Sequence, residues 1–278
     1  MKTFFKLTGL LVLFFFSFFY TEKVINVITE QDEIMIKIKE NEEKNSIPST
    51  NAIINKNTIT PGLSGKEINI DKSYKEMKKL GTYNENMLVY TKVLPEVSIN
   101  NNKNKYIRSG NKNFTEVSLI FKINKNTDLQ KLLTLLDKNN TKANFFISYE
   151  YLEKHINEIE KEKNIEYYNY GKNGTYNDEI ILIANNIISK KSNPANICLT
   201  ETNTNNTLKI CSENEQFTIY PEIINGTINS IKSKINNGSI ISFEVTNTTL
   251  NELPLIINYI NSKGYTISLL SELINEEK

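Results

Sequence analysis

Residues able to do acid–base, nucleophilic or metal chemistry are sparse in this chain of 278 residues. It holds one histidine, His155, two cysteines, Cys198 and Cys211, and no tryptophan. Two Cys with one distant His make no zinc pattern, which needs four N or S ligands at short spacings. Cys198 and Cys211 flank a polar Asn/Thr stretch bounded by two short apolar runs. That arrangement reads as a β-hairpin centred between Thr204 and Asn205. The cysteines are equidistant from the centre, and directly opposed β-carbons lie about 4.5–5.5 Å apart. They either form a disulfide or remain as two buried thiols. His155 lies in a helical stretch and reads as a solvated helix residue. No Asp/Glu cluster offers an alternative ligand set, so neither catalytic nor metal-ligating residues are expected, and no cofactor.

The elements that would position any site lie mainly beyond residue 113. Residues 117–121 (Val-Ser-Leu-Ile-Phe) form a β-branched and apolar run suited to a buried strand. Residues 127–138 place five leucines on one helical face, with Thr127 or Asp128 as cap. Further strands are expected at 143–148, 165–168, 239–245 and 265–269. Helices are expected at 149–163, 178–190, 227–235 and 250–263. This alternation implies an α/β fold with parallel strands. Upstream, residues 23–59 are polar and read as a solvated stalk. Residues 60–113, with Pro61-Gly62 and Gly65 as turns, a helix at 73–80 and a strand at 87–93, read as a small accessory segment.

Lys2 and Lys6 precede an uncharged, Phe- and Leu-rich run over residues 7–20. A charged region followed by an apolar run of this length reads as a signal segment. No small-residue cleavage site follows, so residues 1–22 are expected to be either an uncleaved signal anchor or a signal peptide. That reading places the bulk of the chain outside the cell membrane, by the positive-inside rule. Lys+Arg 33 against Asp+Glu 32 excludes a general nucleic-acid binder, which carries a strong basic excess. Abundant Asn, Lys and Ile indicate A- and T-rich codon usage of the low-GC bacterial kind. Asn-x-Ser/Thr triplets such as Asn225-Gly226-Thr227 follow from the same bias.

Residues 117–124 (Val-Ser-Leu-Ile-Phe-Lys-Ile-Asn), Leu132-Leu133 and 141–146 (Thr-Lys-Ala-Asn-Phe-Phe) resemble the opening of the polysaccharide deacetylases. This is the NodB homology, or carbohydrate esterase 4, family. There a strand ends in Thr-Phe-Asp-Asp-Gly, a helix follows, and the next strand reads Lys-Ala-Thr-Phe-Phe. Residues 238–244 and 263–273 (Lys-Gly-Tyr-Thr-Ile-Ser-Leu-Leu-Ser-Glu-Leu) are similar to the family's closing strand and ending. The resemblance spans roughly 115–275. It implies an irregular (β/α)7 barrel over 114–278, with Phe121, Phe145 and Ile241 inside. It also implies hydrolytic removal of N-acetyl groups from a glycan, by one Asp and two His on a divalent metal, a second Asp as base and a late His as acid.

Carried over position by position, the two Asp fall on Lys122 and Ile123, the His pair on Tyr170 and Gly174, and the late His on Glu244. Ile123 and Gly174 offer no ligand atom, so a zinc hydrolase of this mechanism is not expected. These five positions are expected to form a vestigial site. In it, Lys122 either replaces the metal's charge and pairs with Glu244, or both are solvated charges at strand ends. Tyr167, Tyr168, Tyr170 and Tyr176 concentrate aromatic rings beside it. Three function classes follow. The first is a pseudoenzyme binding peptidoglycan, another N-acetylated glycan or an envelope protein at the cell surface. The second is an active deacetylase or other hydrolase with a non-standard site. The third is a purely structural surface protein.

Overall fold

The computed structural model describes residues 2–159, 162–190 and 196–278, and the chain divides into two units. In chain order the first elements are α1 (Lys2–Glu30), α2 (Glu33–Asn45), β1 (Ile53–Asn55), β2 (Thr58–Thr60), β3 (Gly65–Ile68), α3 (Ile70–Leu80), β4 (Tyr90–Val93) and β5 (Tyr106–Ile107). Next come β6 (Glu116–Ile123), α4 (Leu129–Lys138), β7 (Ala143–Ile147), α5 (Tyr149–His155), β8 (Ile165–Asn169) and α6 (Asp178–Ser189). The chain ends with β9 (Ile197–Leu199), α7 (Asn205–Glu213), β10 (Phe217–Ile219), α8 (Ile228–Lys234), β11 (Ile240–Glu244), α9 (Asn247–Ser262), β12 (Thr266–Ile267) and α10 (Leu270–Leu273).

One unit comprises Met1–Ser49 and Ser64–Val93. Its core is Ile34, Ile38, Ile68, Met77 and Leu88, set between α2, α3 and the antiparallel pair β3–β4. The expected polar stalk over 23–59 is therefore not one solvated segment. Asp32 caps α2 by accepting from the Ile34 amide, and the buried Ile34, Met35 and Ile38 follow at helical spacing. Residues 50–63 belong to the other unit, so the expected boundary at 59/60 is also displaced.

The membrane-anchor expectation is corrected. Among the described residues, no helix is long and apolar enough to cross a membrane. At 1.5 Å rise per residue, the apolar run 7–20 covers only about 21 Å, against roughly 30 Å of hydrocarbon. Glu22 and Lys23 follow it within the same helix.

The second unit, Thr50–Leu63 with Leu94–Lys278, is the expected α/β part. Its strands fall into two sheets. One has the order β11-β6-β7-β8, all parallel, with β12 also parallel to β6. The other has the order β1-β2-β5-β10-β9, parallel except for the β1–β2 pair. Among the described residues the hydrogen bonding is thus that of two sheets and does not run round a closed seven-strand barrel.

Ile120, Phe146, Tyr168 and Ile240 of the first sheet pack with Ile59, Ile107, Leu199 and Ile219 of the second. Phe121, Phe145 and Ile241, expected inside, lie on the opposite face. There they pack with Leu132, Leu136, Leu253 and Ile257 of α4 and α9. Alternation along a strand dictates the inversion: Lys122 shares its face with Ile120, between the sheets.

The cysteine region also differs from expectation. β9 is followed by α7 and not by a second strand, and the structure joins Cys198 of β9 to Cys211 of α7, with Cα atoms 6.4 Å apart. The expected helix over 149–163 is shorter: α5 ends at His155 and a single 3-10 turn follows (Ile156–Glu158). Residues 160 and 161 of that expected helix lie outside the described residues. His155 stacks on Tyr151, with ring centroids 4.5 Å apart.

Among the described residues β8 and β9 end their respective sheets without pairing, and Tyr176 bridges them. Its buried hydroxyl accepts from the Leu199 amide at 2.9 Å and lies 3.2 Å from the Asn169 carbonyl and 3.1 Å from that of Leu199. Tyr176→Phe removes the acceptor of a buried N–H and is expected to cost about 1–3 kcal/mol in urea unfolding. A change below measurement error would show that this bridge does not hold the two sheets together.

Glu276 fastens the C-terminus to two upstream loops. Its buried carboxylate accepts from the amides of Gly62 at 2.7 Å and Ile99 at 3.1 Å. Burial pushes its pKa above the ordinary 4.5, against the lowering effect of those two amides. A carboxyl raised in the folded state favours folding below its unfolded pKa, and that contribution is lost as pH rises through the folded value. Glu276→Gln should therefore flatten the fall in stability as pH rises above about 4.5, read as Tm against pH. An unchanged pH profile would show that the raised carboxyl has no linkage to folding.

Candidate functional site

The site is built at the C-terminal ends of the parallel strands, where such folds place their functional loops. Lys122 is the penultimate residue of β6, and Glu244 is the last of β11 and its direct register partner. The Lys122 side chain is only 2% exposed, and its ammonium lies 2.8 Å from Glu244 Oε1. It also donates to Glu201 Oε2 at 2.6 Å and Asn225 Oδ1 at 3.0 Å. Glu201 follows β9 by two residues, and its Oε1 accepts from Ser242 Oγ at 2.6 Å. Two of the three N–H donors of the ammonium are thus taken by hydrogen bonds, and the ion pair with Glu244 adds a third oxygen around it.

Asn225 is held there by backbone geometry. It adopts a left-handed φ of 48°, and the next amide, of Gly226, donates to the Ser242 carbonyl at 2.8 Å. A β-carbon on Gly226 would meet Ile241 Cγ2 at 2.8 Å and the Phe243 ring at 2.9 Å, so only glycine lets this loop approach β11.

Tyr170 completes the cluster. Its partly buried phenol has its pKa raised, first by burial and then by the negative charges of Glu201 and Glu244, so the hydroxyl keeps its proton. The other three tyrosines expected to offer stacking faces do not. Tyr167 packs into the core beneath the helices, Tyr168 lies between the sheets, and Tyr176 is the interstrand bridge.

The five positions singled out from the sequence thus separate. Lys122, Tyr170 and Glu244 share the site. Ile123 points to the other face of β6 and is fully buried in the apolar core. Gly174 sits in a turn at φ 89°, where an added β-carbon would lie 3.4 Å from the Tyr170 ring. A divalent metal does not fit this donor set. A charged lysine has no lone pair, Ile123 and Gly174 have no donor atom, and no group of three His, Cys, Asp or Glu suited to a metal occurs among the described residues.

Glu201 and Asn225 are the residues that sequence reasoning missed. Reading 198–211 as a hairpin centred between Thr204 and Asn205 left Glu201 without a role, whereas its place just beyond a strand was the available signal. Asn225 was absorbed into the compositional bias.

No family model matches the chain. The uncharacterized protein YlxY of Bacillus subtilis (strain 168) is 23% identical over 282 residues, spanning 91% of this chain and 87% of its own. Among solved structures, wild-type BA3943 of Bacillus anthracis, described as a CE4 family pseudoenzyme, is 22% identical. It covers 89% of this chain and 97% of its own, with a TM-score of 0.64. A BA3943 mutant described as having restored enzymatic activity matches at a TM-score of 0.62, with 22% identity over 89% of this chain and the whole of its own. The Bc1960 peptidoglycan N-acetylglucosamine deacetylase matches at 0.52, with 20% identity over 62% of this chain and 95% of its own. The chain therefore has the fold of the family 4 carbohydrate esterases, the polysaccharide deacetylases, and its structural likeness includes a degenerate, pseudoenzyme member of that family.

Proposed function

We propose that this chain is a catalytically inactive polysaccharide-deacetylase-like protein that binds a peptidoglycan-type glycan at the strand-end site. In this reading, its two sheets are the halves of an irregular (β/α)7 barrel. The observation that carries the proposal is the ammonium of Lys122, locked by Glu201, Glu244 and Asn225 in a position that the resemblance gives to one of the two active-site aspartates. A buried cation there supplies positive charge without a Lewis acid or a bound water to activate, so the site retains shape and polarity without the hydrolytic step. Tyr170, partly exposed beside two carboxylates, offers the ring and hydroxyl that a sugar face needs.

The test is titration calorimetry of the purified chain with soluble peptidoglycan oligosaccharides. Saturable binding that weakens at least severalfold in Tyr170→Ala is expected. Absence of binding in the intact chain, with capture of an envelope protein instead, would replace the glycan with a protein partner.

A further inference from the structure

The hydrogen-bond inventory of the site restricts which sugar unit it can take. An N-acetyl group presents a carbonyl that needs a donor. The cluster's fixed cation has none to present: it donates to Glu201 and Asn225, is paired with Glu244, and is only 2% exposed. Both Glu201 oxygens are also engaged, by Lys122 and Ser242, and that side chain is 18% exposed. Glu244 is different. Lys122 contacts its Oε1, and its side chain is 45% exposed, which leaves an accessible carboxylate outside the ion pair. Two carboxylates against one ammonium leave one formal negative charge uncompensated within the cluster.

We infer that the Lys122–Glu201–Glu244 cluster selects glycan units whose amino group is free and protonated, a glucosaminium-type cation held by Glu244, over N-acetylated units. The inference rests on the glycan-binding reading above and makes the chain a reader of de-N-acetylated glycan. A protonated amine meets an accessible carboxylate in a charge-assisted hydrogen bond, whereas an acetamide offers it only a single neutral N–H, the weaker contact.

Calorimetric titration of the full chain with a fully deacetylated chitosan oligosaccharide and with its N-acetylated counterpart of equal length tests this. The deacetylated ligand should bind at least about tenfold more tightly, the effect expected for one hydrogen bond to a charged group. Glu244→Gln should abolish that preference with at most a small fall in Tm, because the side chain is nearly half exposed. Equal affinities, or tighter binding of the acetylated ligand, would overturn the inference and leave the glycan reading standing. Binding of neither would overturn both. A preference that survives Glu244→Gln would remove the selection from this site.

Discussion

Lys122→Met should destabilise the second unit by about 3 kcal/mol, the lower end of the range for breaking a buried ion pair. The variant keeps the length and apolar stem of the side chain and removes only the charge. It strands Glu201, which is largely buried, and to a smaller degree Glu244, which is nearly half exposed. The two partners should therefore respond differently. Glu244→Gln is expected to cost no more than about 1 kcal/mol, as at a surface pair. Glu201→Gln should cost more, because it also weakens the acceptor of Ser242. In a double-mutant cycle, Lys122→Met with Glu201→Gln should cost less than the two single changes summed, since the first change already leaves the second residue unpaired. Additivity would show that the pair is not energetically coupled.

Replacing Cys198 and Cys211 together by serine is expected to lower stability by about 3 kcal/mol under oxidising conditions, the loop-closure value for a loop of roughly 15 residues. The two cysteines are separated by 13 positions, and both side chains are buried with Tyr176 and Ile181. The effect has a functional side. β9 leads within two residues to Glu201, so loosening β9 from α7 should also loosen the salt-bridged site. A reductant should reproduce the loss in the unaltered chain and leave the Ser variant unchanged. Equal stability of the oxidised and reduced chain would show that this bond contributes nothing to the fold.

Much of the second unit was legible because its strands are buried on both faces. The runs at 117–121 and 143–148 are nearly continuous in apolar residues, and the helices between them show broad leucine or isoleucine faces. Within such a run, a lysine is conspicuous, and Lys122 and Glu244 at two strand ends pointed to a shared site. Period-2 alternation says which residues share a face, but not which face lies between the sheets when both are apolar. Phe121, Phe145 and Ile241 were assigned to the wrong side for that reason.

The α7 segment was misread because Asn and Thr at 203–207 carry turn signals, while its helical face rests on only Leu208 and Cys211, with Ile210 beside them. α2 was hidden similarly. The Glu/Asn/Lys composition of its second half outweighed the Asp32 cap and the buried Ile34, Met35 and Ile38. Glu201 and Asn225 come from loops whose approach to Lys122 depends on packing between distant strands, including the close contact at Gly226. Local pattern does not encode that approach.

Metal analysis of the purified full chain tests the central claim most directly. After incubation with zinc and removal of excess ion, the chain should retain well below one zinc per molecule. It should release no acetate from an N-acetylated peptidoglycan oligosaccharide. One zinc per chain, together with acetate release that a chelator abolishes, would contradict the replacement of metal chemistry by the Lys122 ion-pair cluster.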